Sequence, residues 1–131
     1  HLLVDTVGLV LRVRVLPANI QDRDGARQLL DQHFGRRTRR RIKHIWADGG
    51  YAGARVAWAR TVWRCTVAIV KRTEAHTFKV LPHRWVVERT LGWLNRYRRL
   101  SRDYERQAQT GESRVYLAMI RLMVARLAAK S

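Results

Sequence analysis

The sequence predicts a single mixed α/β domain. Segments with strand-like alternation and segments with helical spacing follow one another in the order β-β-α-β-α-β-α-α, which is typical of a sheet flanked by helices. The chain has 131 residues, the length of one domain, and 47% of them are apolar, enough to form a buried core. It contains no evident repeat and no linker long enough to divide it.

The chain is expected to begin with a β-hairpin. The predicted strands are His1–Asp5 and Leu9–Leu16, which are rich in leucine and valine. Gly8 lies between them, where a hairpin turn needs a residue with a permissive backbone.

A helix and a basic run follow the hairpin. Asp22 or Asp24 is placed to cap a helix that extends to about Phe34, where Gly35 would end it. Residues 36–41 have the sequence RRTRRR and are predicted to form a loop or a frayed helix end.

Two more strands are predicted in the middle of the chain. Ile42–Ala47 is a strand that ends at Asp48-Gly49-Gly50, and a short helix is expected from there to about Trp63. Cys65–Val70 is an apolar run typical of a buried strand, whereas Lys71–Pro82 is polar and irregular.

The last third of the sequence predicts two helices. Arg84–Arg106 has an apolar set at steps of three or four residues, which indicates its inward face: Val87, Leu91, Leu94, Tyr97, Leu100 and Tyr104. Glu112–Lys130 has similar spacing in Leu117, Ile120, Val124 and Leu127.

The charge balance predicts a polyanionic partner. Lys and Arg number 27 against 10 Asp and Glu, a net charge of +17, and 23 of the 27 cations are Arg. The planar guanidinium of Arg matches phosphate oxygens in pairs, so nucleic acid is the simplest partner.

Several other classes of protein are excluded or disfavoured. One cysteine, Cys65, cannot form an internal disulfide or a zinc finger, and its apolar surroundings predict a buried, inert thiol. No apolar run approaches the length of a membrane span, and no signal peptide is evident. A cytoplasmic, nucleoid-associated protein without a membrane partner is therefore expected.

Two carboxylates are candidates for chemistry. Asp48 ends a predicted strand before two glycines, a position where ligands bind in α/β sheets, although Asp-Gly is also ordinary turn chemistry. Glu88 falls opposite the apolar set of its helix, among Arg84, Arg99 and other arginines, where it either binds a metal or makes only weak surface ion pairs.

The tryptophans divide into two groups. Trp46, Trp58 and Trp63 are predicted to belong to the core. Trp85 lies beside the basic stripe, where it either packs or stacks on a nucleic-acid base.

At this point the chain resembles a known family. The HLLVDT hairpin, ADGGYAG at residues 47–53 and RWVVERTLGWLNRYRRLSRDYER at residues 84–106 are similar to the C-terminal part of bacterial insertion-sequence transposases of the DDE type, in the broad IS-four/IS-five grouping. The resemblance runs from His1 to about Ala128, and its most specific part is the Arg-x3-Glu motif of WVVERT.

The resemblance implies a ribonuclease H-like mixed sheet with flanking helices, and roles for individual residues. Asp48 and Glu88 match the second and third catalytic and metal-binding acids, which would hold two Mg²⁺ or Mn²⁺ ions in the complete site. Arg84 matches the signature arginine, whereas the signature tyrosine and lysine positions are Leu81 and Asn95. The predicted DNA-binding residues are Arg36, Arg37, Arg39, Arg40, Arg41, Arg84, Arg96, Arg99 and Arg102.

The resemblance also predicts that part of the catalytic domain is missing. The first catalytic Asp of similar proteins lies on a strand upstream of His1, and Asp5 matches the hairpin turn instead. Residues 1–131 are thus expected to be a partial domain that lacks its central first strand and the DNA-recognition region, as a truncated or frameshift-separated part of a transposase. The expected partners are DNA at the element ends and the target, and a homo-oligomer or a complementing N-terminal part.

Two functional hypotheses follow. The first is DNA transposition by metal-dependent strand cleavage and strand transfer. The alternative is a non-catalytic basic nucleic-acid-binding module, or an inactive transposase remnant, in which Asp48 and Glu88 are structural. Composition alone favours the alternative, and only the motif match reverses this order.

Overall fold

The computed structural model describes residues 1–31, 41–51, 60–62, 64–70, 84–102 and 105–129. These residues form a mixed α/β arrangement, as predicted. Its elements are β1 (Leu2–Val4), β2 (Val10–Val13), α1 (Asp22–Asp31), β3 (His44–Asp48), a 3-10 turn (Gly49–Tyr51), β4 (Thr66–Val70), α2 (Arg84–Asn95) and α3 (Ala108–Ala128).

The chain divides into two compact units. The first, which we call the hairpin unit, contains His1–Pro17 and Arg84–Ser131; the second, the parallel-sheet unit, contains Ala18–His83. In the hairpin unit, β1 pairs with β2 in antiparallel orientation, and in the other unit β3 pairs with β4 in parallel orientation. Each sheet has two strands among the described residues.

The hairpin turn is organised by Asp5. Its carboxylate accepts hydrogen bonds from the backbone N–H groups of Val7 at 3.0 Å and Leu9 at 2.8 Å. Gly8 has φ of +83°, a left-handed conformation that favours glycine. The carboxylate of Asp5 therefore belongs to the turn, as predicted.

A buried threonine joins α2 to this turn. The Thr90 side chain is fully buried, and its hydroxyl lies 2.7 Å from the carbonyl oxygen of Gly8 and 3.0 Å from that of Val86, so its one proton is shared between them. The guanidinium of Arg89 donates to the Val7 carbonyl at 2.9 Å. These contacts determine which side of α2 packs against the hairpin.

The predicted inward face of α2 is wrong in part, since Leu94 is buried as predicted but two other members of the set are not. Val87 and Leu91 are exposed, and the buried residues are Val86, Thr90 and Leu94, which lie four residues apart. The hairpin turn packs against Thr90 rather than against Val87 and Leu91, because Gly8 offers a carbonyl acceptor and has no Cβ to obstruct the threonine.

The prediction of one helix from Arg84 to Arg106 is also wrong, since α2 ends at Asn95. The N–H groups of Arg96 and Tyr97 bond to carbonyls three residues earlier, at 3.3 and 3.0 Å, and these tighter bonds end the helix. The Tyr97 hydroxyl donates to the carbonyl of Ala118 in α3 at 3.0 Å. This tertiary contact replaces the continuation of the helix.

Helix α3 closes the core of the hairpin unit. It begins at Ala108, one turn earlier than predicted, and ends at Ala128. Ala118 and Met119 are buried with Leu94 of α2. The partly buried apolar residues around this core are Leu2, Leu9, Val10, Tyr97, Leu100, Val115, Leu122 and Met123.

Two polar side chains of α3 accept hydrogen bonds from backbone N–H groups on the outer edge of β2 and just after it. The Tyr116 hydroxyl accepts a hydrogen bond from the Val13 N–H at 3.2 Å. The Glu112 carboxylate accepts one from the Val15 N–H at 3.0 Å and pairs with the Arg14 guanidinium at 3.4 Å. Two backbone donors that do not face β1 are thus bonded by side chains of α3.

The parallel-sheet unit has a small core of its own. Leu29 and Leu30 of α1 are buried, and so is Cys65, as predicted; burial raises the pKa of its thiol. Trp46 is exposed and lies against the ring of His44, with 4.5 Å between the centroids, so its predicted place in the core is wrong.

Trp46 is exposed because side chains alternate along β3, and the inward positions are taken by Ile45 and Ala47. Residues 32–40, 52–59, 63 and 71–83 lie outside the described residues. The predicted end of the first helix at Phe34, the predicted core positions of Trp58 and Trp63, and the irregular segment Lys71–Pro82 fall there.

We expect Gly8→Ala to destabilise the hairpin unit by at least about 2 kcal/mol. The left-handed φ strains any residue with a Cβ, and a Cβ at this position would lie 2.8 Å from the Thr90 hydroxyl. Urea unfolding followed by circular dichroism measures the change. Gly92→Ala is the matched control: its Cβ meets nothing within 4 Å in α2, so a gain of about 0.5–1 kcal/mol is expected.

We expect Thr90→Val to lower the free energy of unfolding by about 1–3 kcal/mol, because it leaves the buried Gly8 carbonyl without its side-chain donor. Thr90→Ser keeps the hydroxyl and removes only a methyl group, which costs about 1 kcal/mol. Urea midpoints of the two variants distinguish the causes. A loss in Thr90→Ser without one in Thr90→Val would mean that packing, rather than the hydrogen bond, determines this contact.

Candidate functional site

Asp48 lies at the carboxyl end of β3, as the sequence predicts. It is exposed, and its Oδ1 accepts a hydrogen bond from the N–H of Gly50 at 2.7 Å. The 3-10 turn Gly49–Tyr51 follows directly and turns the chain away from the strand end. One carboxylate oxygen is therefore held by the backbone.

A second carboxylate borders the same turn. A Cβ built on Gly50 would lie 2.9 Å from Oδ2 of Asp22 and 3.3 Å from Oδ1 of Asp48, so both acids approach this glycine closely. The sequence analysis treated Asp22 only as a helix cap. Its approach to Asp48 depends on how α1 packs on the turn, and no local sequence pattern reports that.

The charges of both acids affect the pKa of Tyr51. Burial raises the pKa of its phenol to about 12, and the negative charges of Asp22 and Asp48 add to the increase. The phenol is therefore neutral at physiological pH. The cluster of Asp22, Asp48, Gly50 and Tyr51 is called the aspartate turn below.

Glu88 lies on α2 in the hairpin unit, and its side chain is exposed. At 100° per residue it faces almost opposite to the buried Val86 and Thr90, so the contact with the hairpin turns this carboxylate outwards. Asp48 belongs to the other unit.

The predicted basic stripe does not run along one helix. Arg84 is the first residue of α2, whereas Arg96, Arg99 and Arg102 follow the end of that helix and are exposed. Arg99 lies 3.5 Å from the carboxylate of Glu105. Arg41 is exposed. The described part of the chain does not include Arg36, Arg37, Arg39, Arg40 or the side chain of Arg84.

An arginine–tryptophan stack covers another surface of the hairpin unit. The Arg89 guanidinium lies 4.4 Å from the ring centroid of Trp85 and 4.9 Å from that of Trp93, and Arg126 lies 4.3 Å from Trp93. These distances are typical of cation–π contacts. The sequence analysis considered only Trp85, although the four-residue steps from Trp85 to Arg89 and Trp93 are a signal that would have found the stack.

The donor chemistry fits a hard divalent cation. Asp22 and Asp48 of the aspartate turn offer carboxylate oxygens, the ligands that Mg²⁺ and Mn²⁺ prefer, and Glu88 offers the same kind of donor in the hairpin unit. Within the described ranges, no three His, Cys, Asp or Glu side chains form a group that would hold an ion unaided. Substrate phosphate and water would have to supply further ligands.

The described helices include none that is long and apolar enough to cross a membrane.

Comparison with known proteins identifies relatives. Residues 1–123 match a family model described as the transposase DDE domain. The chain is 33% identical over 113 residues to a Burkholderia cepacia protein named as a transposase of insertion sequence element IS402, which covers 82% of this chain and 54% of the relative. The chain thus spans about half the length of this relative. No solved structure matches this chain.

The aspartate turn predicts an unusual alkaline titration. At pH 11 the phenol of Tyr51 should remain mostly protonated, whereas an ordinary tyrosine, with a pKa of about 10, is mostly ionised. Because the folded-state pKa is raised, the associated stability is present below about pH 10 and is lost as the pH rises towards 12.

Tyrosinate absorbance of the wild type minus that of Tyr51→Phe measures this titration. Asp48→Asn should lower the pKa of Tyr51, and Asp31→Asn, at an exposed position of α1, should leave it unchanged. A pKa that does not respond to Asp48→Asn would contradict the described geometry.

Proposed function

The chain belongs to the transposase DDE domain family, as its motifs predicted, and on that basis we propose that it forms the downstream part of an enzyme that cuts and rejoins DNA strands during transposition. The family match over residues 1–123 carries this proposal, because it includes both acids of the predicted motif. The chain spans 54% of its relative, so the activity is proposed for the complete protein.

Asp48 and Glu88 are proposed to be the metal-binding acids of the complete site. Both side chains are exposed, and the N–H of Gly50 donates to one oxygen of Asp48. Two Mg²⁺ or Mn²⁺ ions, when bound, would supply Lewis-acid activation of the attacking oxygen and stabilisation of the leaving oxygen. Asp22 borders the same turn and would add negative charge there.

The arginines are proposed to hold the DNA backbone. Arg41, Arg96 and Arg102 are exposed, and the net charge of +17 favours a polyanion over the whole chain. The predicted set also includes Arg84, Arg99 and the basic residues from 36 to 40. Contacts of this kind orient DNA without recognising its sequence, and they weaken as salt concentration rises.

The ribonuclease H-like sheet is proposed to be completed by a strand beside β1. In the described part of the chain, β1 pairs with β2 alone, whereas the far edge of β2 is bonded by Tyr116 and Glu112. An added strand would therefore pair with β1. It would come from an N-terminal transposase part that carries the first catalytic acid, or from another copy in an oligomer.

We expect DNA cleavage by the complete protein to require Mg²⁺ or Mn²⁺ and both acids. Asp48→Asn and Glu88→Gln should each lower the cleavage rate at least about a hundredfold, because loss of a metal ligand removes most of the metal's contribution to the displacement. The measurement is nicking of a plasmid that carries the element ends, with and without EDTA. DNA affinity of each variant is measured in parallel by filter binding at several salt concentrations.

Asp31→Asn is the matched control, because Asp31 is an exposed carboxylate of α1 that pairs with Arg27. It should retain both cleavage and DNA binding. The enzymatic proposal is wrong if the wild type binds DNA with a steep salt dependence but Glu88→Gln and Asp48→Asn alter only DNA affinity and not the cleavage rate. The chain would then be a non-catalytic nucleic-acid-binding module.

A further inference from the structure

We propose that the outward face of α3 binds an amphipathic helix of another protein, one whose apolar ridge is flanked by carboxylates. This interaction is separate from DNA cleavage and does not depend on the proposed function. It concerns the last helix of the hairpin unit, whose inner face already packs in the core.

Four large apolar side chains form a stripe along the outside of α3. They are exposed by between 51% and 68%, and we call them the α3 stripe: Leu117, Ile120, Val124 and Leu127. Their spacing is similar to that of the inward set predicted for the preceding helix, but an inward position is wrong for them, since all four are exposed. The steps of three, four and three residues are those of the seam between two packed helices.

The α3 stripe lies opposite the packed side of the helix. Ala118 and Met119 are buried, and at 100° per residue Val124 faces about 120° away from the first and about 140° away from the second. A helix on the surface of a protein normally has polar residues on its outer side, whereas one that is apolar on both sides is normally covered on both. The outer side of α3 therefore has the composition of an interface.

Three charged side chains of α3 make contacts away from the stripe. Glu112 reaches the edge of β2, and Arg114 pairs with Glu105. Arg126 lies over the ring of Trp93. These three contacts draw charged groups towards the hairpin unit and leave apolar surface on the other side.

Charge complementarity identifies the kind of partner. Arg121 is exposed, four residues after Leu117 and three before Val124, and the only acid within α3, Glu112, is bonded to Arg14 and Val15. A partner helix with carboxylates beside its apolar ridge would bond Arg121 and be attracted by the net charge of +17. A second copy of this chain offers the same positive charge and no free acid on this face.

The size of the stripe also favours a single helix. Its four side chains occupy the positions that the a and d residues of two heptads would have, all on one helix. Recognition of one amphipathic helix needs only a few apolar anchors at such spacing. The expected affinity is therefore moderate, in the micromolar range.

The test uses the full chain and designed peptides of two heptads. The binding peptide has leucine at the a and d positions and glutamate at e and g, and it is cross-linked to remain helical. One control peptide has lysine in place of glutamate, and another has serine in place of leucine. Fluorescence anisotropy should show binding of the glutamate peptide at least about tenfold tighter than either control.

Variants of the α3 stripe and of Arg121 test whether the glutamate peptide binds there. Val124→Glu should weaken binding of the glutamate peptide at least about tenfold. Val7→Glu is the matched control, since Val7 is a valine of similar exposure, 53%, in the hairpin turn. Arg121→Glu should reduce the preference for glutamate over lysine about threefold. Circular dichroism checks folding, and Leu117→Ser is a milder variant should Val124→Glu unfold.

Three results would overturn the proposal. The first is equal binding by wild type and by both Val124→Glu and Leu117→Ser. The second is a dimer of the chain alone in light scattering that Val124→Glu dissociates, which would make the stripe a self-association surface. The third is binding to vesicles of anionic lipid that depends on Val124 while the glutamate peptide does not bind, which would make it a membrane-surface helix.

Discussion

The hydrogen bond between Thr90 and Gly8 is the constraint on which the hairpin unit depends. A fully buried hydroxyl must find an acceptor, and the carbonyl of Gly8 is available because that residue has no Cβ in the way. Once this contact forms, the rotation of α2 is determined. Leu94 then packs with α3, and Glu88 faces out on the opposite side.

Sequence analysis predicted the features that depend on local chemistry. The hairpin, its Asp5 turn and the position of Asp48 at a strand end follow from turn residues and alternation along a few consecutive positions. It was wrong where two apolar sets compete for one core. In α2, Val87 and Leu91 form the more regular set, yet a polar residue, Thr90, is buried instead because its partner lies 82 residues away in the chain.

The same limit applies to the surroundings of the candidate acids. Asp22 and Asp48 are separated in sequence, and only the packing of α1 against the 3-10 turn brings both carboxylates to Gly50. Two acids that border one glycine, with a half-buried phenol beside them, concentrate negative potential that a divalent cation or a basic side chain would neutralise. Glu88 has a different environment, since it shares its side of α2 with exposed apolar residues rather than with other acids.

The bonding of Tyr116 and Glu112 to β2 has a consequence for the sheet of the hairpin unit. Exposed strand edges allow folded proteins to join one another in an open-ended way, which leads to aggregates. Here the donors of Val13 and Val15 are already occupied by side chains of α3, so extension from that side is blocked. A strand that completes this sheet is therefore expected next to β1, which pairs with β2 alone among the described residues.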